Sequence, residues 1–191
     1  MLAGYLAGSM PFGYWLVRAV KGADVRQVGS GNIGATNVWR AYGRRLGIPV
    51  ILLDVAKGFV PALIGVLFVD DLAAVLAGAA AMVGHWRPLF MGFRKGGKTV
   101  ATAGGTFWAV APLVAVTVAV IWILLFVTTR YASVASIGAA LSLPILALVL
   151  REPWPVVVFA VGAALAVVVL HRGNIGRLRA GTEHRFALRR A

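Results

Sequence analysis

The sequence predicts an all-α integral membrane protein with about seven transmembrane helices, some of them short, its N-terminus outside and its C-terminus cytoplasmic. Three observations lead there. The 191 residues are 60% hydrophobic and 13% charged, with a mean hydropathy of +0.87, more apolar surface than a soluble core of this length could hide. The apolar residues fall in runs close to the ~20 residues a helix needs to cross a bilayer. The 19 Lys and Arg, which set a net charge of +13, sit between those runs, as in a polytopic chain whose basic loops stay in the cytoplasm. That clustering also argues against nucleic acid as a partner, because no single basic face results. With no cysteine, a disulfide framework and a thiolate metal site are excluded.

Segment 2–20 is the first expected span. Its charges, Arg18 and Lys21, follow the apolar run, unlike those of a cleaved leader. Segments 46–69, 72–90, 132–150 and 154–170 qualify in turn. Between them, 100–128 is a long apolar stretch with Pro112 near its middle. The basic segments 21–45, 87–99 and 171–191 belong in the cytoplasm, and the turns at Asp70-Asp71 and Arg151-Glu152-Pro153 belong outside. These placements agree if 100–128 crosses twice, as helices over roughly 99–111 and 113–128 broken at Pro112. The first of the two, about 20 Å long, must tilt into the protein or thin the bilayer. Five crossings with a re-entrant stretch is the alternative. No linker interrupts the chain, so 1–191 reads as a single polytopic membrane domain.

Residues 92–99, "GFRKGGKT", fit the Walker A pattern. A nucleotide loop needs a buried strand before it and a magnesium ligand after it. The residues before Gly92 read as a helix, and among six acidic residues only Asp54 lies inside a span. We therefore expect no nucleotide. The loop's chemistry stands without one: Lys95 and Lys98 flank Gly96 and Gly97, and a helix starts near Thr99, which suits phosphate by charge and dipole. A plain basic loop would look the same.

A second stretch tips the balance. "GSGNIGATN" at 29–37 offers Ser30, Thr36, Asn32 and Asn37 among glycines, all neutral donors suited to an oxyanion, although Gly, Ser and Asn also simply make turns. Arg40, four residues past Thr36, shares its face on a helix starting there. In the third segment, His171 and Asn174 are polar without being needed for topology. Arg185, Arg189 and Arg190 are assigned to lipid headgroups. The tetrapeptide Gly-Asn-Ile-Gly occurs at both 31–34 and 173–176. Three anion-friendly segments on one side of the membrane suggest one converging site. Asp54 and Lys57, three apart, are expected to neutralise each other. A Ser-His-Asp triad would draw on His85, His171 or His184 with Asp54. No metal site is expected, with no Cys and no His pair at helical spacing, and no cofactor.

"GSGNIGATN" (29–37), "GHWRP" (84–88), "KGGKTVAT" (95–102) and "HRGNIGRL" (171–178) together resemble the bacterial acyl-phosphate:glycerol-3-phosphate acyltransferases. "GSMPFG" (8–13), "DVAKG" (54–58) and "SVAS" (133–136) match as well. The resemblance implies a seven-helix enzyme of the bacterial inner membrane, its site facing the cytoplasm. Such an enzyme moves a fatty acyl group from acyl phosphate to the 1-hydroxyl of glycerol 3-phosphate, giving lysophosphatidic acid and phosphate. Membrane lipids are its surroundings. It also implies the site: Ser30, Arg40, Lys98 and His171 as catalytic residues, with Gly31, Asn32, Gly34, Thr36, Asn37, Lys95, Gly96, Gly97, Ser136 and Asn174 binding substrate and phosphate. Members have glycine where this chain has Thr99, a change expected to cost little on a helical backbone. No protein base is evident, so a substrate phosphate is the expected proton acceptor. A transporter of an organic phosphate is the competing reading, against which stands the gathering of polar residues at one membrane face.

Overall fold

The structure is a computed structural model that describes residues 1–186; Arg189 and Arg190 lie outside the described residues. It is helical, with no strand among the described residues. The chain divides into two compact units, the first Met1–Val110 and the second from Ala111 onward. The division falls one residue before Pro112, whose fixed φ and missing N–H separate two apolar helices.

The first unit holds α1 (Leu2–Gly8), α2 (Phe12–Lys21), α3 (Ala35–Tyr42), α4 (Arg44–Phe68), α5 (Asp71–Trp86) and α6 (Val100–Val110). The expected span over 2–20 is not one helix. It breaks at Ser9–Pro11, leaving a seven-residue α1 and a separate α2. Pro11 cannot donate a helical hydrogen bond and biases Met10 away from helix. The expected helix over 72–90 stops at Trp86, shortly before Pro88. α4 carries Pro49 and Pro61 inside its 25 residues, tolerated where neighbouring helices and local adjustments meet the freed carbonyls.

Glycines set how these helices pack. A Cβ added at Gly8 would lie 2.0 Å from the carbonyl oxygen of Ala81, and one at Gly4 2.3 Å from that of Ala77, so α1 meets α5 backbone to backbone. Gly58 meets Thr102 and Gly105 meets Val55 in the same way, each added Cβ falling 2.0 Å from a main-chain oxygen, which draws α4 onto α6. Small residues are the usual means of bringing helices together where lipid removes the hydrophobic incentive.

The second unit holds α7 (Pro112–Thr129), α8 (Ala132–Val149), α9 (Trp154–Leu170) and α10 (Arg172–Arg179). α7 buries only Val114 and Ala115 and exposes Leu113, Val116, Val120, Ile123, Leu124 and Val127, an apolar surface suited to hydrocarbon. Among the described residues three helices, α4, α7 and α8, are long and apolar enough to cross a membrane; α9 and α10 together pass the same test across a 55° bend. α6 is apolar but shorter.

Candidate active site

The 29–37 loop is built from the inside by Asn37. Its side chain is buried, accepts the Ser30 N–H at 3.0 Å and donates to the carbonyls of Val25, Val28 and Asn32. The Asn32 carboxamide oxygen takes the Gly34 N–H at 2.7 Å, an Asx turn that delivers the chain into α3. Ile33 anchors the loop in an apolar cluster with Val17, Val25, Val38, Leu46 and Val50. Gly13 of α2 lets the loop settle there, since a Cβ at 13 would stand 1.9 Å from the Ile33 carbonyl oxygen. Ahead of the loop, Asp24 receives side-chain hydrogen bonds from Arg26, which hold its carboxyl down at about 2.

Ser30 and Thr36 are exposed and Arg40 is half-buried. No side chain caps the N-terminus of α3, whose first N–H groups favour an anion. Asn37, read from the sequence as a donor to an anion, has its donors turned inward on carbonyls.

The 95–98 loop shows a similar inversion. Gly96 N–H and Gly97 N–H do not point to an anion: they donate to the Trp86 and His85 carbonyls, each at 2.9 Å. These carbonyls are among the last of α5, which a helix leaves without partners of its own. A Cβ at Gly97 would fall 1.8 Å from the His85 ring, so glycine is there for close packing. The Asn32 amide donates at 3.4 Å to the Gly96 carbonyl, joining the two loops directly. Lys98 is half-buried and Lys95 exposed.

Thr99 departs from expectation. Its φ is +63°, left-handed rather than helical, its side chain is buried, and its hydroxyl makes no hydrogen bond. A β-branched residue resists that conformation, at a cost of about 1–2 kcal/mol. Thr99→Gly is therefore expected to raise stability by about 1 kcal/mol, after the extra freedom glycine gives the unfolded chain. Thermal unfolding of the two proteins checks this.

Within the second unit, Asn174 and Ser133 converge on Glu183, which the sequence reading missed. Ser133 donates to it at 2.9 Å, Arg177 at 2.7 Å, and the Asn174 amide donates to the same oxygen as Ser133. The one available signal was an isolated acid in a basic tail. Burial alone raises this carboxyl, but the bonds from Asn174, Ser133 and Arg177 and the guanidinium charge outweigh it and hold it below its ordinary value. A lowered folded value adds stability that is complete above the ordinary glutamate range and lost as pH falls through the lowered one. Glu183→Gln is thus expected to lower the melting temperature at neutral pH and flatten its fall as pH drops below the ordinary glutamate range, measured by thermal unfolding.

Ser136 is buried and accepts a hydrogen bond from the Trp122 indole at 3.1 Å. His171, at the junction of α9 and α10, places Nδ1 2.8 Å from the Val167 carbonyl. A carbonyl can only accept, so Nδ1 carries a proton, with Nε2 the other ring nitrogen. The repeated Gly-Asn-Ile-Gly has no structural echo: residues 31–34 form a loop and 173–176 lie within α10.

A sequence profile described as glycerol-3-phosphate acyltransferase matches residues 1–181. The chain belongs to the glycerol-3-phosphate acyltransferase family. It is 44% identical over 188 residues to the glycerol-3-phosphate acyltransferase of Aquifex aeolicus, covering 97% of each chain. It is 48% identical over 191 residues to that of Anaeromyxobacter, covering 96% of this chain and 93% of the relative. Among solved structures it resembles PlsY (YgiH), an integral membrane glycerol 3-phosphate acyltransferase, in its glycerol 3-phosphate form. The TM-score is 0.92 at 44% identity, over 97% of this chain and 93% of that one. The lysophosphatidic acid form of PlsY matches with a TM-score of 0.88. The family membership agrees with the resemblance read from the motifs.

Proposed function

We propose that this chain is a membrane acyltransferase that acylates the 1-hydroxyl of glycerol 3-phosphate from acyl phosphate, yielding lysophosphatidic acid and inorganic phosphate. One observation carries the reading: Asn32 ties the 29–37 loop to the 95–98 loop. Ser30, Thr36, Arg40 and Lys98 therefore lie on or next to connected segments. A basic, donor-rich patch of this kind suits phosphate-bearing substrates.

In the step proposed, the C1 hydroxyl oxygen attacks the acyl carbon, the bond from that carbon to the bridging phosphate oxygen breaks, and phosphate leaves. Acyl phosphate is a mixed anhydride, so charge stabilisation and orientation supply much of the acceleration. Lys98 and Arg40 neutralise phosphate charge, and Ser30 donates a hydrogen bond. Gly31, Asn32, Gly34, Thr36 and Asn37 shape and line the first loop, while Lys95, Gly96 and Gly97 do so for the second. From the motif resemblance, His171 is assigned to catalysis and Ser136 and Asn174 to substrate binding in the same reaction. The hydroxyl proton passes to phosphate, with no protein base. Loss of turnover in His171→Ala with binding of both substrates intact would instead make Nε2 the base.

The proposed setting is a single polytopic domain crossing the bacterial plasma membrane seven times, N-terminus outside, with segments 21–45, 87–99 and 171–191 cytoplasmic. The separation of α6 from α7 at Ala111 supports the double crossing of 100–128. Cysteines placed around residue 112 should then label from outside. Phosphate release from palmitoyl phosphate that requires glycerol 3-phosphate supports acyl transfer; its absence, alongside liposome uptake of glycerol 3-phosphate, would establish transport.

A further inference from the structure

Beneath the two loops lies a buried polar group that the proposed chemistry does not use. Asp54 and Lys57 of α4 pair at 2.9 Å, each nearly inaccessible. This pair already neutralises both charges, so a third polar residue beside it needs its own reason. His85 is that residue. It is 4% exposed, its Nδ1 makes no hydrogen bond, and that nitrogen stands 3.8 Å from the Asp54 carboxylate. An aliphatic side chain there would bury no unsatisfied nitrogen.

The contacts of this group run to both loops. On one side the His85 ring lies against Gly97, too close for any Cβ, while its carbonyl binds the Gly97 N–H. On the other side Lys57 donates to the Met10 carbonyl at 3.2 Å, in the break between α1 and α2. Met10 leads into α2, whose Gly13 seats the 29–37 loop at Ile33. His85 thus touches the second loop, and Lys57 touches the segment leading to the helix that seats the first. Replacing such an ion pair by apolar residues of similar size is often neutral for stability, so its value here is placement.

We propose that His85, braced by Asp54 and Lys57, is a positioning residue for the 95–98 loop, setting where Lys98 meets the phosphate of glycerol 3-phosphate. This rests on the acyl-transfer reading above. The flat imidazole fills the space between Asp54 and Gly97, and removing it lets the loop sink toward α4.

The test is steady-state kinetics of the purified full chain in lipid nanodiscs, varying glycerol 3-phosphate and palmitoyl phosphate separately, with thermal unfolding alongside. His85→Ala should raise KM for glycerol 3-phosphate about ten-fold or more, a displaced loop being enough for that. KM for palmitoyl phosphate should stay near the wild-type value, and His85→Asn should recover part of the loss. The paired change Asp54→Asn with Lys57→Met keeps size without charge; it should keep the melting temperature and still raise KM for glycerol 3-phosphate. This second variant decides the matter if His85→Ala does not fold. An unchanged KM for glycerol 3-phosphate in the folded variants overturns the positioning role. So does a fall in melting temperature with both KM values moving together, since that is a structural effect. A wild-type chain with no acceptor-dependent phosphate release overturns the acyl-transfer reading, and this inference with it.

Discussion

Lys98→Met is expected to lower kcat/KM for glycerol 3-phosphate by about 100- to 1,000-fold, the usual effect of removing one positioned charge-stabilising donor. Methionine keeps the aliphatic stem, so packing changes little and the melting temperature should hold. The half-buried position of Lys98 is what makes the effect large, because charge interactions strengthen away from bulk water. Lys95 offers the contrast. It is exposed and its field is screened, so Lys95→Met should cost about ten-fold or less. Equal losses in the two variants would mean the loop acts through overall positive charge rather than through one placed lysine.

The second large effect concerns folding. Gly8→Val is expected to destabilise the first unit by more than about 3 kcal/mol, the upper range for overpacking. The added Cβ alone would sit 2.0 Å from the Ala81 carbonyl oxygen, and the three nearest atoms are all main chain of Ala81. Backbone cannot rotate away as a side chain can, so α1 must lift off α5. Thermal unfolding in nanodiscs measures the loss. At Gly162, where nothing lies within 4 Å, the same substitution should be tolerated with a change under about 1 kcal/mol. If Gly8→Val melts like wild type, the close approach of α1 and α5 is not present in the membrane.

Much of this architecture was legible in the sequence, and for identifiable reasons. Pro112 marked the seam between α6 and α7 because a proline lacks the N–H that a helix interior needs and suits the first turn of a new helix, although Pro49 and Pro61 are carried inside α4. The Asp54–Lys57 pair was legible because spacing of three puts both on one face of a helix. The break at Ser9–Pro11 was not, since hydropathy averaged over a window does not register backbone direction; Pro11 was the overlooked mark. Thr99 looked harmless because a residue's φ is set by the loop it closes, here one tied back to α5. Loop composition located the phosphate-suited segments but not the direction of their donors. The same N–H groups can meet an anion or a carbonyl, and burial decided for the carbonyl at Asn37, Gly96 and Gly97. Glu183 stayed hidden because its contact with Ser133 spans fifty positions.

The glycine contacts also bear on where a fatty tail can travel. α1 against α5 and α4 against α6 meet at main-chain distance, which leaves no slot for hydrocarbon between them. On the proposed reaction, the acyl chain keeps to outward faces of the first unit such as that formed by Leu52, Val60 and Ile64, where its surroundings are other lipid tails. A tail that exchanges one fluid hydrocarbon environment for another gains nothing per added methylene. Neither the α1–α5 contact nor the α4–α6 contact can then act as a ruler for the length of that tail.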